Sequence, residues 1–393
     1  WKLSPFSQPD ITGEENTKTR KIRIYPNKEQ KTLLNKCFDT HRYFYNKSVD
    51  YIKVNPTTSN ITIRNNLSIK NDDLEYKWME QVPFDTRQEA IKNLTSSYKA
   101  AIALKKKGYI KKFEFSYLAK KDKNDVCYVN KNALKNMKIF QRKLNKSKLK
   151  VRKRAKKQFT NSDGNFPIIR DKAGRFYLCL IKKYNNISKN INSTDEIVAL
   201  DPGVRTFQTY FSQNECGTIG DNANIKIRKI NEKIDKLEGL KASSKAKTKV
   251  NLNRRCLLLR SKITNKVNDL HWKTASFLTR RYKVIFLPNF RVKQMCMKSP
   301  NKKTNREMCN LAHYKFKERI KYKAQLNNCI VIDCCESFTS KTCTKCGVFN
   351  NVGSKKIYKC ETCNSEIDRD LNGARNIFIR CLTKYYTGSD VTR

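Results

Sequence analysis

Two cysteine pairs stand close together near the C-terminus: Cys343 and Cys346 in CTKC, then, after thirteen intervening residues, Cys360 and Cys363 in CETC. A CxxC turn puts two thiolates on one side of a tight backbone loop, and two such turns complete a tetrahedron, the coordination zinc prefers. No position is left for water, so the spacing predicts one structural zinc holding a segment of about twenty residues, too small to bury a core of its own. Redox use of a CxxC competes with this reading, but two pairs at ribbon spacing favour the metal. The other eleven cysteines show no comparable spacing and read as small buried or surface residues.

Carboxylates are the second group with chemical potential, because acids are scarce in this chain and several fall at the ends of apolar runs. Ile197 to Leu200 is such a run, ended by Asp201, and Pro202-Gly203 turns the chain into another around Phe207 to Phe211. Tyr282 to Leu287 is a further buried-strand candidate, and Cys329 to Cys335 a third, closed by Glu336. Asp370 lies past the cysteine pairs in IDRDLNGARNIFIRCL, where Ala374, Ile377 and Cys381 have helical spacing. Strand, hairpin, helices, strand, strand and helix is an α/β order able to gather distant carboxylates at one sheet edge. Phosphodiester hydrolysis uses such a cluster: two divalent cations about 4 Å apart activate water and steady the leaving oxygen. Each acid alone has an ordinary reading too, with Asp201 capping a turn, Glu336 a solvated edge residue, and Asp368 or Asp370 capping the last helix. Their order along the chain is what favours a shared site.

The elements that must position these groups can be traced from the N-terminus. Residues 1–18 are polar without period and read as a tail. TRKIRIYP, from Thr19, alternates as a short strand ended by Pro26. Asn27 with Gln30 forms a capping-box pattern, followed at helical spacing by Leu34, Phe38, His41, Tyr45 and Ile52. A second helix is expected from Asp85, capped there, through Ile91, Leu94, Tyr98 and Ile102. Between Asp125 and Asp163 there is no acidic residue, and Arg142 to Lys157 contains ten Lys and Arg. With Leu144, Leu149, Val151 and Phe159 interspersed, and FPIIRDKAGRFYLCL reading as two strands around a glycine turn, this is a strand-rich module gripping phosphates through Arg142, Lys143, Arg152, Lys153, Arg154, Lys156 and Lys157. A disordered linker, or a nuclear import signal at 152–157, is the alternative. From Ile225 to Leu278 two amphipathic helices form a hairpin, the first breaking at Gly239.

Composition sets the partner class. The 393 residues carry 84 Lys plus Arg against 35 Asp plus Glu, a net charge of +49, yet 38% are apolar. Enough apolar material exists to bury a core, which excludes disorder of the whole chain. Self-repulsion of that size is tolerable when a polyanion neutralises it, and nucleic acid is the first candidate. No apolar run of about 18 residues occurs and the start lacks the order of a signal peptide, so neither a membrane span nor secretion is expected. The chain begins with Trp1 rather than Met, which leaves room for residues before it.

DPGVRT at 201–206, TSKTCTKCG at 339–347 and DRDLNGARNI at 368–377, in this order and spacing, resemble the transposon-encoded TnpB proteins and their eukaryotic and giant-virus relatives, the Fanzor proteins. The resemblance is strongest from about 196 to 379, continues loosely in KIRIYPNKEQ and RYFYNKSV, and between about 53 and 190 keeps only the general plan. It implies an RNA-guided DNA endonuclease that binds a transposon-derived guide RNA and cleaves double-stranded DNA next to a short target-adjacent motif. It also implies a fold: an α/β multidomain chain with a RuvC-like nuclease of the RNase H class at 191–393, containing a helical hairpin near 223–280 and a zinc ribbon near 340–366. A wedge β-barrel at 19–190, with a helical recognition insertion near 27–120, would precede it.

Carried over by motif, Asp201 is the first catalytic carboxylate and Asp370 the last, with Asp368 the helix cap, and the cofactors are two magnesium ions and the structural zinc. The second acid departs from the commonest pattern. TnpB proteins often have a Glu in an apolar strand, and the matching stretch here is VIFLPNF, with Leu287 and Pro288 at that place. Glu336, in CCESFTSKTC, matches the rearranged position of Fanzor-like proteins and is assigned as the second ligand. Asp333 is the fallback, although three positions earlier in an extended strand puts it on the opposite face. The resemblance further implies a monomer in a ribonucleoprotein, intracellular and nuclear in a eukaryotic host. Two other classes stay open: a catalytically silent nucleic-acid-binding regulator, and a transposase joining strands with the same fold.

Overall fold

The computed structural model describes residues 16–67, 74–120, 125–141, 143–144, 147–157, 159–184, 196–290, 292–298, 300–334, 339–351 and 356–387. They fall into two units, Gly13–Asn185 and Asn186–Arg393. In the first, strand β1 (Asn16–Tyr25) begins inside the expected tail: residues 16–18 pair with 182–184 across an antiparallel ladder, so the strand is longer than TRKIRIYP alone. Helix α1 (Lys28–Val54) starts with the capping box of Asn27 and Gln30, each side chain bonding the other's backbone N–H. After α2 (Asn60–Asn66), α3 (Phe84–Lys106) begins one residue before Asp85. Asp85 therefore occupies the first turn instead of capping it, and Pro83 sits at the cap with no side-chain bond. Proline preorganises the helical start without needing a hydrogen-bonded N–H.

Strands β2 (Asp125–Val129), β3 (Leu134–Lys135), β4 (Lys138–Ile139) and β5 (Lys150–Val151), the one-turn α4 (Lys153–Lys156), β6 (Phe166–Arg170) and β7 (Phe176–Tyr184) follow. The main sheet is antiparallel, in the order β2-β6-β7-β1-β5. Among the described residues β2 and β5 do not pair, so the expected barrel is an open five-stranded sheet. The interspersed Leu144 and Leu149 are buried in its core beside Leu34, Phe38 and Phe166, while Lys143 and the cations of 152–157 stay exposed.

The second unit is built on a sheet in the order β10-β9-β8-β11-β12. Its strands are β8 (Ile197–Pro202), β9 (Gln208–Ser212), β10 (Cys216–Ile219), β11 (Val284–Pro288) and β12 (Ile330–Cys334). The hairpins β8-β9 and β9-β10 are antiparallel, whereas β8, β11 and β12 run parallel, as connections through helices require. The sequence pattern does not mark β10, a short, mostly exposed edge strand. Helices α5 (Ala223–Ala242) and α6 (Ala246–Arg281) form the expected hairpin, but α5 runs straight through Gly239 and turns only after Ala242. Helices α7 (Val292–Lys298), α8 (Lys302–Leu311) and α9 (His313–Leu326) link β11 to β12; the small β13 (Ile357–Lys359) and β14 (Glu366–Asp368) lead into α10 (Arg369–Thr387). No described helix is long and apolar enough to cross a membrane.

Each face of this sheet has its own core. Val198, Leu200, Ile285 and Leu287 pack against α5, α6 and α9, while Ala199, Phe286, Ile332 and Cys334 meet Ile377, Phe378 and Cys381 of α10. Phe207 anchors the first core: His271 and His313 stack on it at 5.1 and 5.2 Å, and Phe316 meets it edge-on at 5.0 Å. His271 Nε2 donates to the Leu311 carbonyl at 2.8 Å and Nδ1 accepts from Arg319 at 2.9 Å, which fixes a neutral ring. His313 faces the Gly203 carbonyl without reaching hydrogen-bond geometry.

Burial lowers the pKa of His271 to about 4 and of His313 to about 3, the latter helped by the neighbouring His271. A folded pKa below the unfolded value of 6.5 means that the unfolded chain takes up the extra proton first. The stability contributed by the neutral rings is thus complete above that value and is lost as pH falls toward 4. A drop in melting temperature of several degrees is expected between about pH 7 and pH 5. His271→Gln, which retains a donor and an acceptor but does not titrate, should shrink that drop; an unchanged pH dependence would contradict the assignment.

Candidate active site and zinc ribbon

The stretch DRDLNGARN gives successive residues of α10 distinct tasks. Asp368 caps the helix, its Oδ1 accepting from the N–H groups of Asp370 at 3.0 Å and Leu371 at 3.2 Å. Asp370 then projects from the first turn, where the helix dipole favours a carboxylate. Burial raises its pKa; Arg369, whose Nε lies 3.9 Å away, opposes that rise, as do the more distant Arg205 and Lys356, while Asp368 adds to it. One turn on, Gly373 has no Cβ because there is no room for one: a Cβ there would fall on Asp201 Oδ2, well inside van der Waals contact. Residues three apart share a helix face, so Asp370 and the contact with Asp201 lie on the same side of α10.

Asp201 reaches that side by strand alternation. Ile197 and Ala199 of β8 face α10, Val198 and Leu200 face away, and Asp201 follows Ala199. The loop after it is tight: a Cβ on Gly203 would meet the Thr206 carbonyl oxygen at 2.7 Å. Thr206 donates to Asp221 at 2.6 Å and the Asn222 N–H donates to the Arg205 carbonyl at 3.0 Å, which ties down the DPGVRT turn.

The neighbouring strands define where a further acid can arise. On β11 the residues toward α10 are Val284 and Phe286, with the buried Pro288 next in phase, and none is acidic. On β12, Asp333 pairs in register with Leu287 and shares its face, away from α10, where Lys317 and Lys321 of α9 each bind it at 3.0 Å. The fallback assignment to Asp333 is therefore corrected: alternation and two lysines hold it on the wrong side of the sheet. Cys334 does face α10. Glu336, two residues further on, lies outside the described residues, as does Arg142.

The four cysteines converge as their spacing predicts. The Sγ atoms of Cys343, Cys346, Cys360 and Cys363 all lie within 4.8 Å of one another, with Cys343 to Cys363 at 3.7 Å and Cys346 to Cys360 at 3.5 Å. Tetrahedral zinc with Zn–S bonds near 2.3 Å separates its sulfurs by about 3.8 Å, so the donor set fits that ion. The Cys363 N–H, bonding Cys360 Sγ at 3.5 Å, lowers the Cys360 thiol to about 6, and the Asn350 amide reaches the same sulfur at 3.3 Å. Tyr358, fully buried beside the cluster, donates to the Lys341 carbonyl at 3.0 Å.

Two asparagines join this ribbon to the candidate active site. Asn372 donates to the Thr342 carbonyl at 2.8 Å and accepts from the Thr344 N–H at 3.2 Å; Asn376, one turn later, donates to the carbonyls of Thr339 and Thr342 at 2.8 and 2.7 Å. TSKTC is thereby fastened along α10. Asn372, Gly373, Asn376, Arg205 and Lys356 escaped the sequence reading, although a glycine within a helix, costing about 1 kcal/mol relative to alanine, was a signal that something approaches closely.

The basic candidates are available for phosphates. Lys143, Arg152, Lys153, Arg154, Lys156 and Lys157 are exposed, and among the described residues none pairs with a carboxylate. Helix α8, by contrast, is docked on α5: buried Glu307 accepts from Arg228 at 2.7 Å and Asn224 at 2.9 Å, and Arg306 pairs with Asp235 at 2.7 Å.

Gly373→Ala separates geometry from stability. The helix gains propensity, and a carboxylate can swing aside, so the melting temperature should hold or rise. A displacement of about 1 Å at a reacting group costs on the order of a hundredfold in rate, and nuclease activity should fall accordingly; full activity would show that the Asp201 contact is not functional. Removing the metal with a chelator, or Cys360→Ser, should loosen α10 through its asparagines and lower both activity and protease resistance.

Comparison with known proteins agrees with this architecture. Residues 313–377 match the Cas12f1-like TNB domain and residues 16–55 a helix-turn-helix domain, although in this structure 16–55 is one strand followed by one long helix. The putative transposase A625R of Paramecium bursaria Chlorella virus 1 is 31% identical, covering 96% of this chain and 89% of its own. TnpB-like protein L770 of Acanthamoeba polyphaga mimivirus is 27% identical over 94% of this chain and 74% of its own. The putative RNA-guided DNA endonuclease InsQ of Escherichia coli K12 is 23% identical over 77% and 76%. The Cas12f1 chain of a complex with guide RNA and target DNA superposes with a TM-score of 0.51 at 16% identity, covering 89% of this chain and 83% of that one. Sequence motifs, the sheet that carries Asp201, the four-cysteine ribbon and these relatives agree: the chain belongs to the TnpB/Fanzor family.

Proposed function

We propose that this protein is an RNA-guided DNA endonuclease of RuvC type, cutting target DNA by metal-assisted phosphodiester hydrolysis. The observation that supports the reading is the contact of Asp201 with α10 at Gly373, on the helix face that Asp370 shares three residues earlier. Two carboxylates on one face of a half-buried helix start, one with its pKa raised by desolvation, offer the hard oxygen ligands that suit magnesium. Glu336, two residues beyond Cys334 in sequence, is the proposed third ligand. When bound, two magnesium ions would supply an activated water and stabilise the leaving oxygen. The chain's own residues do the rest. Asp201 and Asp370 would hold the ions, Arg205 and Lys356 set a positive potential beside Asp370, and the ribbon ties down α10 through Asn372 and Asn376.

Specificity has to come from elsewhere, because exposed Lys and Arg bind backbone charge without reading sequence. A relative described as an RNA-guided endonuclease and a structural neighbour bound to guide RNA and target DNA support a bound guide as its source. Pairing of the guide with one DNA strand would then select the site, next to a short target-adjacent motif, with the protein acting as a monomer in the ribonucleoprotein.

Purification from the native expression context followed by sequencing of the bound RNA should yield one transcript ending in a variable guide. With that RNA, magnesium-dependent cleavage should drop at least about a hundredfold in Asp201→Ala plus Asp370→Ala; undiminished cleavage would sink the nuclease assignment. Glu336→Gln should abolish cleavage and leave RNA binding intact, whereas a fully active variant would remove Glu336 from the ligand set. Joined rather than hydrolysed DNA ends would identify a strand-transferring transposase.

A further inference from the structure

After α3 the chain turns back at Gly108, with φ at +75°, and runs from 110 to 118 without helix or strand, meeting α1 at Asn46, Asp50 and Lys53. This strap is fixed at its far end. The Asn46 side chain donates to the Leu118 carbonyl at 3.1 Å and accepts from its N–H at 2.8 Å. Asp50 accepts from the Tyr117 hydroxyl, and Lys53 lies 4.6 Å over the Tyr117 ring. Alternation along the strap turns Phe113 and Phe115 inward and leaves Lys112, Glu114 and Ser116 exposed. Between strap, α1 and α3 a cavity of about 360 Å³ remains, walled by Ile52 and Leu94 and by three mutually touching rings. Tyr98 lies 5.8 Å from Phe113 and 5.9 Å from Phe115, and the two Phe rings are 5.9 Å apart.

The lining also includes Lys53, Lys105, Lys112 and Glu114, three cations against one acid. Glu114 is 85% exposed and stands 3.9 Å from Lys53. An apolar aromatic floor beneath a cationic rim matches a flat, neutral ring attached to an anion. The volume is at the small end for ligand sites, so it suits one ring system and excludes a helix or a folded peptide. We infer that this cavity receives one unpaired nucleobase of a folded RNA, with its phosphates held by Lys53, Lys105 and Lys112. Bases of loops and bulges are free to be splayed out onto aromatic side chains, whereas those of duplex DNA are stacked. The phenol of Tyr98 and the carboxylate of Glu114 are the polar side-chain groups available to read the edge of that base. The inference rests on the RNA-guided reading above and adds a particular contact to it.

Ultraviolet crosslinking of the purified ribonucleoprotein, followed by mass spectrometry, should find a ribonucleotide adduct on Tyr98, Phe113 or Phe115. Tyr98→Ala with Phe113→Ala should weaken RNA binding about tenfold, and Phe113→Tyr should preserve it. Lys105→Ala with Lys112→Ala changes only exposed side chains, so it cannot act through folding; it should lower affinity several-fold and make binding less salt-dependent. If RNA co-purifies and guides cleavage but no adduct forms and the lysine variant binds normally, the pocket is wrong and the function stands. A deoxyribonucleotide adduct would assign the cavity to DNA and overturn the inference, and absence of any co-purifying RNA would overturn both.

Discussion

The close approach of Asp201 to the backbone of α10 at Gly373 governs the C-terminal unit. Two acids separated by more than half of that unit's sequence can work together only if β8 and α10 touch with nothing between them, and a missing Cβ is what permits it. The contact is unfavourable in itself. Placing the partly buried Asp370 at this helix start has its own cost, since desolvation raises its pKa. The opposing term is apolar: Ile377 and Phe286 are essentially inaccessible between sheet and helix, and burial of each such side chain contributes roughly 2 kcal/mol. Packing therefore holds Asp201 against the helix that carries Asp370.

The ribbon acts on the same contact from the other side. Asn372 and Asn376 are one turn apart and bond backbone groups of TSKTC, whose own cysteine, Cys343, is the first of the four-cysteine cluster. A segment too short to fold by burial, its four sulfurs gathered as one metal ion would require, is thus tied to the helix carrying Asp370. TSKTC is strapped onto the helix that carries DRDLNGARN, and the strand leading into DPGVRT supplies the wall that α10 meets.

How far the sequence revealed this depended on the range of the interaction concerned. Local signals were legible: the Asn27–Gln30 capping box, the CxxC pairs, the helical spacing of Ala374, Ile377 and Cys381, and Asp368 as a cap are each settled within a few residues. The boundaries that differed were decided by tertiary contacts. β1 takes in residues 16–18 because β7 is long enough to pair with them, and α5 crosses Gly239 with Glu238, beside it, paired to Arg260 of α6. The roles of Gly373, Asn372 and Asn376 had no local signature, since each is defined by a partner about thirty to 170 residues away along the chain.

Alternation is the exception, a local rule with a long-range consequence. A strand's period of two decides which acids can meet at a site, whatever their order in sequence. Applied to β12, it sends Asp333 to the side of Lys317 and Lys321, and leaves Cys334 toward α10. The lysines matter energetically as well as geometrically: an acid already neutralised by two cations has little reason to leave them for a metal site on the other face. The same period makes β11 silent, because Phe286 and Pro288 occupy the phase in which an acid would be useful. With β11 disarmed in this way, the strand beyond it is left to supply any further acid toward α10, and the first carboxylate after Cys334 in the sequence is Glu336.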